Sequence, residues 1–203
     1  MAASISRNTA SELGLLSSRE KSAGVTPRYA GAECELGEHI AAFARDGRGA
    51  YLSGPVGAGK THALMAAARL LVRSGVKCRV TTFSALLDRE QASFPSNGGD
   101  GYSWVAEACR KPVLLLDELG EGKPTEWAVS QLYRIVDSRY QDGLPLLCAS
   151  NLTLPQLGRR LSVGGETTGA RIVSRLYEMC VQLSVDGGDR RISTARENAR
   201  ETG

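Results

Sequence analysis

Apolar residues recur along this chain in two alternating rhythms. Leu36, Ile40 and Phe43 fall at i, i+4 and i+7. That spacing lines one face of a helix, and it predicts a helix over residues 32–46 that stops near Gly47 and Gly49. A short apolar run over 50–53 reads as a first strand. Leu64, Ala67, Ala68 and Leu71 form a second helical stripe ending at Gly75. Residues 77–82 read as a strand and 84–91 as a short helix. Pro95 and the Gly98-Gly99-Asp100-Gly101 run mark a loop. A short helix over 104–110 follows, then Val113-Leu114-Leu115-Leu116, continuously apolar as a strand buried on both faces requires. Val129, Leu132, Tyr133, Val136 and Tyr140 predict a helix from a Thr125 cap to Gln141. A fourth strand over 145–149, a helix over 154–161, a loop over 164–169, a helix over 170–179 and a fifth strand over 181–185 complete the pattern.

Strands alternating with helices predict an α/β fold, a three-layer αβα arrangement around a five-stranded, mainly parallel sheet. Such sheets bind ligands at the carboxyl ends of their strands. Residues 1–30 carry Ser, Thr, Gly and mixed charge with weak periodicity, and read as a flexible N-terminal arm with one short helical stretch over 11–19. Tyr29 closes this arm, either near a bound base or as a surface anchor. The core is expected over 31–191 and a tail over 192–203.

Composition changes this picture little. The 203 residues suit one domain, with 42% hydrophobic and 23% charged residues. No apolar run approaches the ~20 residues of a membrane helix, and the first residues do not form a secretory signal. The expectation is a cytoplasmic protein with no membrane contact. Five cysteines stand singly without a CxxC pair, so reduced thiols are expected. The net charge of +3 decides nothing. Arg outnumbers Lys twenty to five, which suits phosphate or intersubunit contacts but also follows from base composition.

Candidate chemistry sits at the strand ends. Gly54-Pro55-Val56-Gly57-Ala58-Gly59-Lys60-Thr61 matches G-x-x-x-x-G-K-[ST] between a strand and a helix. The glycines let several backbone N–H groups face one anion, and the helix adds its positive end. Lys60 is expected to reach the β- and γ-phosphates of ATP, and the Thr61 hydroxyl to hold Mg2+. The third strand ends in Asp117-Glu118. Two acids at a buried strand end need a cation or a proton. Asp117 is expected to hold Mg2+ and Glu118 to deprotonate an attacking water. Asn151, after the fourth strand, either positions that water and the γ-phosphate or makes a turn. Arg171 and Arg175 share a helix face. They suit a phosphate of a neighbouring subunit, or a solvated face in which Arg175 pairs with Glu178. Arg190 and Arg191 reach either their own nucleotide or only solvent.

Together these residues resemble the DnaC/IstB group of AAA+ ATPases, over residues 27–191. Gly54 to Thr61 is similar to its Walker A motif and Leu114 to Glu118 to its Walker B. Arg139-Tyr140, Pro145 and Ser150-Asn151-Leu152 resemble its R-Y … P … S-N-L stretch, which implies a sensor-1 role for Asn151. Gly169-Ala170-Arg171-Ile172-Val173-Ser174-Arg175-Leu176 resembles its G-x-R-x-x-[SD]-R-[LM] box. That implies an arginine finger at Arg175, with Arg171 beside it. The family's closing D-S-Y-R is replaced by Asp186-Gly187-Gly188-Asp189-Arg190-Arg191, leaving the sensor-2 arginine open between Arg190 and Arg191. The resemblance implies little or no C-terminal helical lid.

The function so implied is an ATPase that loads a DnaB-type replicative helicase onto single-stranded DNA and forms a homo-oligomer in its ATP state. Phe83 and Lys123 are candidate DNA contacts. An IstB-like transposition helper is the alternative, then a small-molecule P-loop kinase, then a nucleotide-gated module without turnover.

Overall fold

A computed structural model describes residues 16–95, 98–163 and 166–186. Its sheet contains β1 (Gly49–Ser53), β2 (Cys78–Thr82), β3 (Val113–Asp117), β4 (Leu146–Ser150) and β5 (Cys180–Ser184). Every pairing is parallel, in the order β2-β3-β4-β1-β5. Parallel neighbours need crossovers, and these are helical. The helices are α1 (Ser18–Ala23), α2 (Glu35–Arg45), α3 (Lys60–Arg73), α4 (Phe83–Ala92), α5 (Trp104–Arg110), α6 (Glu126–Gln141), α7 (Leu154–Arg160) and α8 (Glu166–Met179).

The strands divide their side chains between two cores by simple alternation. Ala50, Leu52, Val113, Leu115, Leu147 and Ala149 face α2 and α3, where Ile40, Leu64, Ala67 and Leu71 are fully buried. Tyr51, Leu114, Leu116, Leu146 and Cys148 face the other way, onto Val105, Leu132, Ile135, Leu157 and Ile172 of α5 to α8. β3 and β4 are therefore buried at every position, and apolar up to their last residues, Asp117 and Ser150, because both faces are covered. Truncating one of these leucines to Ala would cost about 2–5 kcal/mol.

Two buried arginines were not visible as structural elements in the apolar pattern. Arg139 of α6 is fully buried. It donates to Ala108 O and Lys111 O at 2.8 Å and to Pro145 O at 2.6 Å. It thereby ties the end of α5 to the entries of β3 and β4. Burial among neutral carbonyls lowers its pKa to about 10, so it stays charged. Arg69 of α3 donates to Glu20 Oε1 at 3.1 Å and Ala32 O at 2.8 Å.

That second contact corrects the expected arm. From residue 16 onward it is folded onto the core. Ser17 caps α1, with its hydroxyl and N–H both hydrogen-bonded to Glu20. Ala23, Val25 and Ala30 are buried. Burial raises the Glu20 carboxyl, but the Ser17 hydrogen bonds and Arg69 outweigh it and hold the pKa below the usual value. A pattern of apolar spacing misses a segment anchored by one carboxylate. The helical stretch expected over 11–19 lies partly outside the described residues. The expected loop over 164–169 is shorter, since α8 already begins at Glu166. The tail over 192–203 lies outside the described residues.

Candidate nucleotide site

β1 runs directly into the glycine-rich turn, and α3 begins at Lys60 itself. Gly57 and Gly59 adopt φ of +81° and +98°, a region L side chains avoid. Gly54 is small for another reason: a Cβ there would lie 2.3 Å from Val185 O. Val185 N donates to Ser53 O at 2.7 Å, so the turn leaves the sheet pressed against the end of β5. Gly59 is the N-cap of α3, and neither a side-chain cap nor an acid occupies its first turn. The positive end of this 14-residue helix is thus left for an external anion.

Lys60 is only 8% exposed. Its Nζ donates to Gly54 O, Pro55 O and Asn151 Oδ1, each at 2.7 Å. The last of these joins the glycine turn to the end of β4. Asp117 ends β3 and is 5% exposed. Burial pushes its carboxyl above the usual range, against the Thr61 hydroxyl, the Glu118 N–H at 2.9 Å and the Lys60 charge. A buried carboxylate beside a hydroxyl fits a hard cation with oxygen ligands. The residues present therefore fit both halves of a magnesium nucleotide.

Glu118 is the one non-glycine with positive φ among the described residues, at +56°. Such a conformation costs about 1–3 kcal/mol. The chain beyond it is held tightly: Leu119 N donates to Ala149 O at 2.9 Å, and Ser150 Oγ donates to Leu119 O at 2.5 Å. With Asp117 locked in β3 and Leu119 locked to β4, residue 118 must turn back.

Lys60, Thr61, Asp117 and Asn151 thus converge, with Glu118 adjoining, from three different strand ends. The arginines do not join them. Arg175 Nη2 lies 2.5 Å from Asp137 Oδ1 of α6. Its guanidinium sits over the Tyr133 and Tyr140 rings, 5.2 and 5.6 Å from their centroids. Asp137, not Glu178, is its partner; Glu178 instead accepts from the Tyr140 and Ser174 hydroxyls. Arg171 is exposed on the same helix. Arg190 and Arg191 lie outside the described residues. Tyr29 packs edge-on against His62 in the first turn of α3, at 6.2 Å between centroids.

Phe83 and Lys123 line one groove of about 240 Å3, with Leu87, Trp127, Arg160 and Glu121. Glu121 is the residue that sequence reasoning missed. Its carboxylate accepts from Asn151 Nδ2, across thirty positions of sequence that no local pattern links. No helix among the described residues is long and apolar enough to cross a membrane.

Comparison with known proteins finds an ATP-binding family. A family model described as IstB-like ATP binding protein matches residues 38–198. The chain is 32% identical over 108 residues to the "putative ATP-binding protein Rv3427c in insertion sequence" of Mycobacterium tuberculosis, covering 52% of this chain and 41% of that protein. It is 24% identical over 151 residues to the replicative helicase loader DnaI of Bacillus subtilis, covering 71% and 48%. The chain spans less than half the length of the curated relatives it matches. The fold is similar to the crystal structure of a DnaI, with a TM-score of 0.60, 26% identity, and coverage of 76% of this chain and 80% of that one.

Proposed function

The chain belongs to the family of IstB-like ATP-binding proteins, and from that premise we propose that it hydrolyses ATP to load a replicative helicase onto single-stranded DNA. The observation that carries the ATPase half is the contact of Lys60 Nζ with Asn151 Oδ1 at 2.7 Å, beside a buried Asp117 that faces Thr61. It gathers a phosphate-binding ammonium, a metal-binding pair and a water-orienting amide at one strand edge.

In this reading Lys60 and the backbone of residues 54–59 bind the β- and γ-phosphates. Thr61 and Asp117 hold Mg2+, which would neutralise charge developing on the phosphate oxygens. Glu118 takes the proton of the attacking water, and Asn151 orients that water or the γ-phosphate. Glu118 holds a φ of +56°, a strained backbone of the kind that clusters at active sites. Arg175 of a neighbouring protomer, flanked by Arg171, would reach the γ-phosphate across a homo-oligomer interface. Arg190 or Arg191 would contact the nucleotide in its own subunit.

The loader half is supported by the likeness to DnaI. A transposition helper that acts on DNA is the second reading, favoured by the insertion-sequence relative. One experiment separates them. Glu118→Gln should bind ATP without turning it over, trapping the partner-bound state for a pull-down from host lysate. Recovery of a hexameric helicase supports the loader, and recovery of a transposase supports the helper. Wild-type turnover by Glu118→Gln would overturn the hydrolytic mechanism.

A further inference from the structure

The polar cluster at the nucleotide end of the sheet contains a carboxylate to which the ATPase mechanism gives no role. Glu121 is exposed, three residues beyond Glu118, with its N–H donating to Glu118 O at 3.2 Å. Its Oε1 accepts from Asn151 Nδ2, while Asn151 Oδ1 accepts from Lys60 Nζ. The two partners define the amide orientation. Only the nitrogen donates to a carboxylate, and only the oxygen accepts from an ammonium. Lys60 and the Asn151 amide are the two donors that a γ-phosphate would engage. Both are linked here, through one side chain, to one internal carboxylate.

Building on the ATP site proposed above, we propose that Glu121 is a specificity-determining residue that competes with the terminal phosphate for the Asn151 amide and so sets the preference for ATP over ADP. ADP ends one phosphate short of that amide and leaves the Glu121–Asn151 bond intact. ATP must open it, so the bond subtracts from ATP affinity alone. Glu121 also lines the groove that carries Lys123 and Arg160. Arg160 already reaches the same loop, donating from Nη2 to Gly122 O. On release by Asn151, the carboxylate has cations within the groove to turn towards, which makes it a readout of the γ-phosphate at the protein surface.

Net charge alone makes a different prediction. Removing one carboxylate near the site would tighten both nucleotides, the more highly charged Mg2+-ATP somewhat more than Mg2+-ADP, equally in Glu121→Ala and Glu121→Gln and with or without Asn151. The ratio of the two affinities, compared between Ala and Gln variants and with and without Asn151, isolates the competition. Dissociation constants for Mg2+-ADP and for the non-hydrolysable Mg2+-β,γ-methylene-ATP are measured by calorimetry on the full chain. Glu121→Ala should raise the preference for the triphosphate roughly three-fold, the scale of an exposed charged contact. Glu121→Gln keeps the acceptor without the charge and should fall between Ala and the parent. In an Asn151→Ala background the Glu121→Ala effect on the ratio should vanish. An unchanged ratio in Glu121→Ala, or an effect that persists without Asn151, overturns the inference. Lys60→Ala is the control. If it abolishes nucleotide binding while the Glu121 ratio stays flat, only this inference fails. If nucleotide binding survives Lys60→Ala, the ATP site fails and the inference fails with it.

Discussion

Asp117→Asn should stabilise the ligand-free protein and destabilise its magnesium-nucleotide complex relative to the parent. Asp117 is 5% exposed, and burial raises its pKa despite Thr61, the Glu118 N–H and Lys60. Asparagine keeps an oxygen for the Glu118 N–H and loses the charge. Relieving an imperfectly compensated buried group is worth about 1–3 kcal/mol. For a domain of this size each kcal/mol moves Tm by about 2–4 °C. The ligand-free variant should therefore melt roughly 2–12 °C above the parent. The pH dependence has a definite sign. A carboxyl whose folded pKa is raised binds more protons folded than unfolded, so its penalty is absent below the unfolded value of about 4. The penalty grows as pH rises from that unfolded value and is complete once pH has passed the raised folded value. The gap between variant and parent, followed from about pH 4 to pH 7.5, should widen as pH rises above about 4 and then level off. Glu20, whose pKa is lowered, acts equally in both proteins and cancels. Saturating Mg2+-ATP reverses the order. Ligand at a hundred times its dissociation constant adds about 2.7 kcal/mol to the parent, and the variant loses the metal-dependent share. Thermal melts with and without Mg2+-ATP across this pH range provide the assay. A ligand-free variant that melts below the parent, or one that keeps the full Mg2+-ATP shift, would refute the reasoning.

Three further outcomes are expected. Lys60→Ala should abolish binding of a fluorescent ATP analogue; affinity equal to the parent's would remove the phosphate-binding role of the glycine turn. Arg175→Ala should leave ATP affinity of the dilute protein unchanged and remove the concentration dependence of turnover, measured well below a melting temperature lowered by the loss of the Asp137 and tyrosine contacts. Loss of ATP binding in that dilute protein would show instead that Arg175 acts within its own subunit. Glu20→Ala should cost about 3–5 kcal/mol in urea unfolding, because it leaves Arg69 buried without its nearest carboxylate. A cost under about 1 kcal/mol would mean that Glu33, 3.9 Å from Arg69 Nη1, takes over the pairing.

Local pattern was enough for the sheet, because every strand here is short and the three central ones, β1, β3 and β4, are mainly apolar. β3 was legible since Val113 to Leu116 is apolar without interruption, a direct consequence of burial on both faces. The phosphate turn was legible for the same kind of reason: eight consecutive residues carry the whole device. By itself the sequence determined which residue types were available for nucleotide chemistry and roughly where each strand ended. Tertiary structure decided which of them meet. Lys60 and Asn151 are 91 positions apart and touch because β1 and β4 are paired neighbours. Glu121 entered the site through a loop folded back on Asn151, and Arg175 was drawn to Asp137 by the packing of α8 on α6. Arg69 and Arg139 are buried against one carboxylate and a ring of carbonyls, where a sequence pattern places arginine on the surface. Periodicity records how each segment divides itself between core and solvent. The pairing of charges and amides across the fold depends on distances between segments, and those exist only once the sheet has assembled.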